Sequence, residues 1–294
     1  MAAITQTGPS FGVNLLLLGD GVTTAILRQF SRMRAMGFDG VEVPVFAPET
    51  VDTKTVRAGA ERHGLRLTVS GALPPGTRFY GRDRAAHRRA AAYIRACIRV
   101  AHELGAHVIC GPLYKAVGDI DESVPLEQQR RATAAAFAPL ARAAQDAGVV
   151  FAFEPINRFE TNFMNTVDQG IAFCRAIGSP AAGLLLDTFH MHIEEKDSAA
   201  AIGRAAAAGV LAHFHASEND RGVAGSGQVH WSAVAAAVRR ARYRGWVVLE
   251  SFAQTNQAIR TAVSCWRPFY PSATTFLREG LRFARRTFAR RARH

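Results

Sequence analysis

Lysine is nearly missing from this chain. Only Lys54, Lys115 and Lys196 occur among 294 residues, so Schiff-base chemistry has three candidates. Lys115 alone stands near a strand end, and it lies past a Gly-Pro turn. Paired cysteines are missing too. Cys97, Cys110, Cys174 and Cys265 are far apart and form no C-x-x-C, which predicts reduced, mostly buried thiols. No apolar run approaches the ~20 residues that span a bilayer. Met1 to Ser10 lack the basic start and long apolar centre of a signal peptide. These absences predict a soluble, cytoplasmic protein with no membrane partner. No linker or break in composition divides the chain, so one domain is expected over residues 1–294.

Acidic residues are outnumbered, and the net charge is +12. Such a balance invites a nucleic-acid partner, but its distribution predicts none. Much of the excess sits in Arg278, Arg282, Arg285, Arg286, Arg290, Arg291 and Arg293. Leu277, Leu281, Ala284 and Phe288 recur among them at helical spacing. The pattern is an amphipathic closing helix, at about residues 270–290, with a solvated basic face.

What the chain has in plenty is short apolar runs that end in a polar group. Val149 to Phe153 ends at Glu154, with Pro155 stopping the strand and Asn157, Arg158 and Glu160 crowding the loop beyond. Gly183 to Leu186 ends at Asp187, followed by His190. Val210 to Phe214 ends at His215, and Trp246 to Leu249 ends at Glu250. A continuous apolar run reads as a strand covered on both faces. One such ending would be an ordinary solvated tip. Four in succession, as Glu, Asp, His and Glu, form an oxygen-rich donor set with one imidazole, suited to Mn²⁺, Mg²⁺ or Co²⁺.

Earlier runs complete the alternation. Phe11–Leu18, Gly40–Val43, Leu65–Ser70 and Ala106–Cys110 read as strands. Helices are expected over 23–36, 51–63, 82–104, 126–147, 167–177 and 231–243. Glu42, inside the second strand, is either structural or at the mouth. Eight strand–helix units predict a closed (β/α)₈ TIM barrel of the α/β class, which gathers strand ends on one point. A doubly wound open sheet would not readily converge four ligands from strands five to eight.

Two glutamates beside a metal suit proton abstraction next to a carbonyl. Bases on opposite faces give epimerisation; a base on one face more often gives aldose–ketose isomerisation. His190 and Arg221 could stabilise charge on oxygen, or be a strand cap and a surface arginine.

The runs Glu154-Pro-Ile-Asn-Arg-Phe-Glu160, Leu186-Asp-Thr-Phe-His-Met191, His213-Phe-His-Ala-Ser-Glu-Asn-Asp-Arg221 and Leu249-Glu-Ser-Phe252 resemble the ketose 3-epimerases of the xylose isomerase-like barrels. So do Leu73-Pro-Pro75, Cys110-Gly-Pro-Leu-Tyr114 and Ala262-Val-Ser-Cys-Trp-Arg267. The resemblance spans most of the chain. It implies C3 epimerisation of a free ketose, such as D-fructose/D-psicose, D-tagatose/D-sorbose or L-ribulose/L-xylulose, through a cis-enediolate. It implies one divalent ion, Mn²⁺ first and Co²⁺ or Mg²⁺ as alternatives, on Glu154, Asp187, His215 and Glu250. Glu154 and Glu250 become the acid/base pair. Glu160, His190 and Arg221 would bind oxygens near C1 and C2, and Leu113 and Phe252 would pack the sugar's far end. A homodimer or homotetramer is implied as well. The chain departs from the family at Ser251, where proline is frequent, and at Leu15–Leu18 and Gly19, where aromatics are frequent.

Rival readings share the barrel. Apurinic-site endonucleases need further ligands on early strands, and here those strands end in Gly19, Pro44, Ser70 and Gly111. A binding barrel without catalysis would have lost a ligand or a glutamate. Isomerases of hydroxypyruvate or inosose type are the nearer competitors.

Overall fold

The computed structural model describes residues 8–289. Arg290, Arg291 and Arg293 of the basic tail, and Met1 to Thr7 at the start, lie outside the described residues. The strands are β1 Ser10–Asn14, β2 Gly40–Pro44, β3 Arg66–Ser70, β4 Val108–Gly111, β5 Val150–Phe153, β6 Ala182–Asp187, β7 Leu211–Ala216 and β8 Trp246–Leu249. They run in chain order round a closed barrel. Every neighbour is parallel, and β8 closes on β1 with Phe11 opposite Val247. The predicted TIM barrel is the fold.

Around the strands lie α1 Thr24–Leu27, α2 Phe30–Met36, α3 Thr53–Arg62, α4 Arg84–Leu104, α5 Leu126–Asp146, α6 Val167–Ile177, α7 Thr188–Glu194, α8 Ser198–Ala207, α9 Trp231–Arg240, α10 Gln257–Ala262 and α11 Ala273–Phe288. Three local expectations need correction. The first strand stops at Asn14 and does not reach Leu18, because the Asn14 side chain accepts the Leu16 N–H and caps a 3-10 turn over Leu15–Leu17. The helix expected over 23–36 is two helices, the first capped by the Thr23 hydroxyl. Two helices, α7 and α8, stand between β6 and β7 where the apolar pattern gave no element. The Asp187 carboxylate starts α7 by accepting the Phe189 N–H at 2.6 Å.

One irregularity decides the site. Leu184 pairs with Leu211, but Leu185 pairs with His213, so Ala212 is an extra residue in β7. Side chains alternate faces along a strand, so a one-residue slip flips every one beyond it. The slip sets His215 directly opposite Asp187. Gly183 makes room for it: a Cβ there would lie 2.6 Å from the Ala212 Cβ.

Behind β5, Phe137 of α5 packs edge-on against Phe151 and Phe153, and Phe173 of α6 does so against Phe153. All four are buried. Removing one such ring costs about 3–5 kcal/mol, so the strand that ends at Glu154 is firmly seated. The closing helix matches its pattern. Leu277, Leu281, Ala284 and Phe288 of α11 are buried, α11 lies against β1 and β8, and Arg278, Arg282, Arg285 and Arg286 face outward.

Candidate active site

Glu154 lies one residue past β5, Asp187 ends β6, His215 lies in β7, and Glu250 lies one residue past β8. One donor atom from each falls within 4.8 Å of all the others, and all four residues are buried. The Tyr114 hydroxyl donates to the Glu154 carbonyl at 2.8 Å, fixing that backbone. The barrel therefore brings together the four strand endings that stood out in the sequence.

Arg221 is no surface residue. It is 4% exposed, and Nη1 donates to Glu250 Oε2 at 2.9 Å and to Ser217 Oγ at 3.0 Å. Its guanidinium lies over the Phe189 ring at 3.7 Å and the Phe252 ring at 4.9 Å from the centroids. The residue has φ 64°, an uncommon value for a side chain this long. The Ser251 hydroxyl donates to its carbonyl at 2.7 Å, a bond the proline frequent at that position could not make. Glu218 holds the same loop, accepting from the Asn219, Gly225 and Val229 N–H groups and from the Trp231 indole.

His190, on α7, accepts the Asn157 N–H on Nδ1 at 3.0 Å. Its Nε2 lies 3.5 Å from Glu154 Oε1 and 3.3 Å from Arg221 Nη2. Burial and the Arg221 charge press the imidazole down to about 3, so it is neutral. Glu160 accepts from Asn157 Nδ2 at 2.7 Å, and burial raises its carboxyl above the usual range.

Charges inside the cluster act on one another. Burial pushes Glu154 well above the usual carboxylate range, and the charges of Glu250 and Asp187 push it further. Burial opposes the charge of Glu250 as well, but His215 and Arg221 hold it below that range. Burial likewise opposes a proton on His215, yet Glu250 and Glu42 hold one there well above ordinary imidazole. Three carboxylates converge with one imidazole whose Nδ1 is buried without a hydrogen-bond partner, although it lies 3.1 Å from Glu250 Oε1. An ion would take the place of the second imidazole proton, and that nitrogen with the three carboxylates fits a divalent cation.

Above the cluster opens a cavity of about 890 Å³ lined by Glu154, Glu160, His190, His215, Arg221, Glu250 and Phe252, with Leu16, Phe46, Leu73, Pro74 and Val263 on its apolar walls. No helix among the described residues is long and apolar enough to cross a membrane.

The family described as the xylose isomerase-like TIM barrel matches residues 30–269. The chain belongs to that family. Among its relatives are a probable ketose 3-epimerase of Synechocystis, 32% identical over 88% of this chain and 90% of its own, and an L-ribulose 3-epimerase of Mesorhizobium japonicum, 33% identical over 88% and 89%. A solved structure of D-allulose 3-epimerase from Methylomonas in complex with D-allulose superposes with a TM-score of 0.89 at 28% identity, covering 96% of this chain and 98% of that one. These likenesses put the chain with the ketose 3-epimerases, carbohydrate isomerases within the xylose isomerase-like family.

Three residues singled out from the sequence do not reach the cavity of this family member. Leu113 is fully buried in the core and is not among the lining residues. Gly111, at φ 120°, accepts the Leu113 N–H in a tight turn, and Pro112 lines the cavity instead. Arg158 points away and pairs with Glu194 at 3.0 Å. Lys115 is buried on Gln129 and Asn162, off the cavity. Of Leu15 to Leu18, Leu16 lines it.

Sequence reasoning missed Asn14 and His213 and left Glu42 open. Glu42, Cys110, His213 and His215 make a second buried group within 4.8 Å, which shares His215 with the first. His213 stood two residues before His215, a spacing that puts both on one face of a strand.

Proposed function

We propose that this protein is a cytoplasmic, divalent-metal-dependent enzyme that epimerises a free ketose at C3. One observation carries the reading: Glu154 and Glu250, from strands three apart on the ring, converge within 4.8 Å at the floor of a cavity roomy enough for a sugar. One carboxylate takes the proton from C3, and the other delivers a proton to the opposite face. The reverse reaction exchanges their roles. Arg221 and the His190 Nε2–H, 3.3 Å apart, are two donors aimed at one position, suited to an oxygen on C1 or C2 as charge develops on it. Glu160 accepts from a neighbouring hydroxyl. Phe252 and Leu16 cover the far end and keep water from the enediolate.

Glu154, Asp187, His215 and Glu250 would hold the ion, Mn²⁺ first, with Co²⁺ or Mg²⁺ as alternatives. A divalent cation there supplies electrostatic stabilisation for the negative charge of the cis-enediolate. The relatives named as epimerases of L-ribulose and D-allulose support a free ketose. A homodimer or homotetramer is part of the proposal and is read from sedimentation.

The test is incubation with a panel of ketopentoses and ketohexoses in ²H₂O, with products resolved by chromatography and labelling read by NMR. Deuterium is expected at C3 of the product, with loss on chelation and recovery with Mn²⁺. Labelling at C1 with C3 unlabelled would mean an aldose–ketose isomerase and defeat the proposal.

A further inference from the structure

The barrel holds a carboxylate that the proposed chemistry does not use. Glu42, in the middle of β2, is 0% exposed and is not among the residues lining the cavity. An ionised group in a barrel interior is costly unless its oxygens are fully engaged. They are. Oε1 accepts from His215 Nε2 at 2.9 Å and from Asn14 Nδ2 at 3.1 Å. Oε2 accepts from His213 Nε2 at 2.7 Å, Thr68 Oγ1 at 2.9 Å and the Cys110 thiol at 3.3 Å. Five donors, from β1, β3, β4 and β7, meet on one side chain.

Two of those bonds lead upward. A proton on His215 Nε2 directed at Glu42 leaves the other nitrogen, Nδ1, facing Asp187 at 3.6 Å and Glu250 at 3.1 Å. Asn14 has its amide orientation fixed because Oδ1 accepts the Leu16 N–H at 3.0 Å. Its Nδ2 must therefore be the donor that reaches both Glu42 Oε1 and Glu250 Oε1, each at 3.1 Å.

We propose that Glu42 is the positioning residue of the metal site: it sets the ring and tautomer of His215 directly and steadies Glu250 through Asn14. The inference rests on the reading of Glu154, Asp187, His215 and Glu250 as metal ligands. Carboxylates that take the far N–H of a ligating histidine change metal affinity by about 10–100-fold when lost. Both Glu42 oxygens are already taken up by five donors, Asn14, Thr68 and the Cys110 thiol besides the two histidines, which fits the second buried group as a support.

Isothermal titration of Mn²⁺ into metal-free protein tests this. The wild type is expected to bind one equivalent, and Glu42→Gln to bind it about 10–100-fold more weakly. Glu42→Asp keeps the charge and should recover part of the loss. Asn14→Ala, which leaves Glu42 and His215 in contact, should weaken binding less than Glu42→Gln and serves as the probe if the glutamine variant does not fold. Melting of the metal-free proteins is measured alongside. A lowered melting temperature with unchanged Mn²⁺ affinity would make Glu42 merely structural and overturn the proposal. So would a second equivalent in the wild type that Glu42→Gln loses while the first keeps its affinity. A wild type that binds no ion defeats the reading of the four ligands, and this inference with it.

Discussion

The ring of His190 takes the backbone N–H of Asn157 on its Nδ1 at 3.0 Å. A backbone N–H can only donate, so Nδ1 carries the lone pair and the proton sits on Nε2. The loop after β5 thus sets the tautomer of a side chain on α7, and the Nε2–H faces Glu154 and the cavity.

That relationship has a pH consequence. With its folded value pressed to about 3 by burial and Arg221, His190 should stay neutral well below the ~6.5 of a free imidazole. The unfolded chain then binds the proton more readily, so His190 disfavours the fold increasingly as pH falls from about 6.5 toward 3. Nitrogen-15 NMR of labelled histidine should show the neutral Nε2–H tautomer at pH 5. A titration midpoint near 6.5 would contradict the assignment.

Glu154→Gln and Glu250→Gln keep the side-chain shape and remove a base. Acid–base groups contribute roughly 10²–10⁴-fold, so each variant should lose at least about 10²-fold in kcat. The double variant should lose far less than the product of the two, because both act on one proton relay. If either single variant still labels C3 at the wild-type rate, one base suffices.

Gly183→Ala probes the slip between β6 and β7. A methyl 2.6 Å from the Ala212 Cβ must displace one strand, and overpacking of this kind costs about 1–3 kcal/mol. The variant should melt lower and bind Mn²⁺ more weakly, since His215 lies beyond the slip. Gly183→Ala combined with Ala212→Gly should recover part of both, since the methyl still lies 3.0 Å from the Val210 carbonyl oxygen. Full stability in the single variant would show that β7 adapts freely.

Ser251→Ala removes the hydroxyl that holds the Arg221 carbonyl at 2.7 Å. One such bond contributes about 1 kcal/mol, so KM should rise a few-fold with kcat changed less. Arg221→Ala should be far more damaging, since it takes a buried cation away from Glu250 and Asp187. Equal kinetics for Ser251→Ala and the wild type would mean that Glu250, Ser217, Phe189 and Phe252 hold the guanidinium without help from this bond.

The amino-acid order alone determined the architecture and the metal-site candidates. Strand length, turn residues and apolar runs are local properties, and a residue at a strand's carboxyl end reaches the same face in any closed parallel barrel. Glu154, Asp187, His215 and Glu250 were legible for that reason. Arg221 and His190 were readable as candidates, but their burial was not. It follows from Phe189 and Phe252 closing on one guanidinium and from α7, a helix with no apolar period to announce it. Leu113 was misplaced because a positive-φ turn at Gly111 rotates it into the core. Glu42 could not be assigned from its own strand, since its partners Asn14, Thr68, Cys110, His213 and His215 come from four others. Only the closed ring and the Ala212 slip bring them together: side-chain facing along a strand is a two-residue property, whereas register between strands is set by packing among residues far apart in sequence.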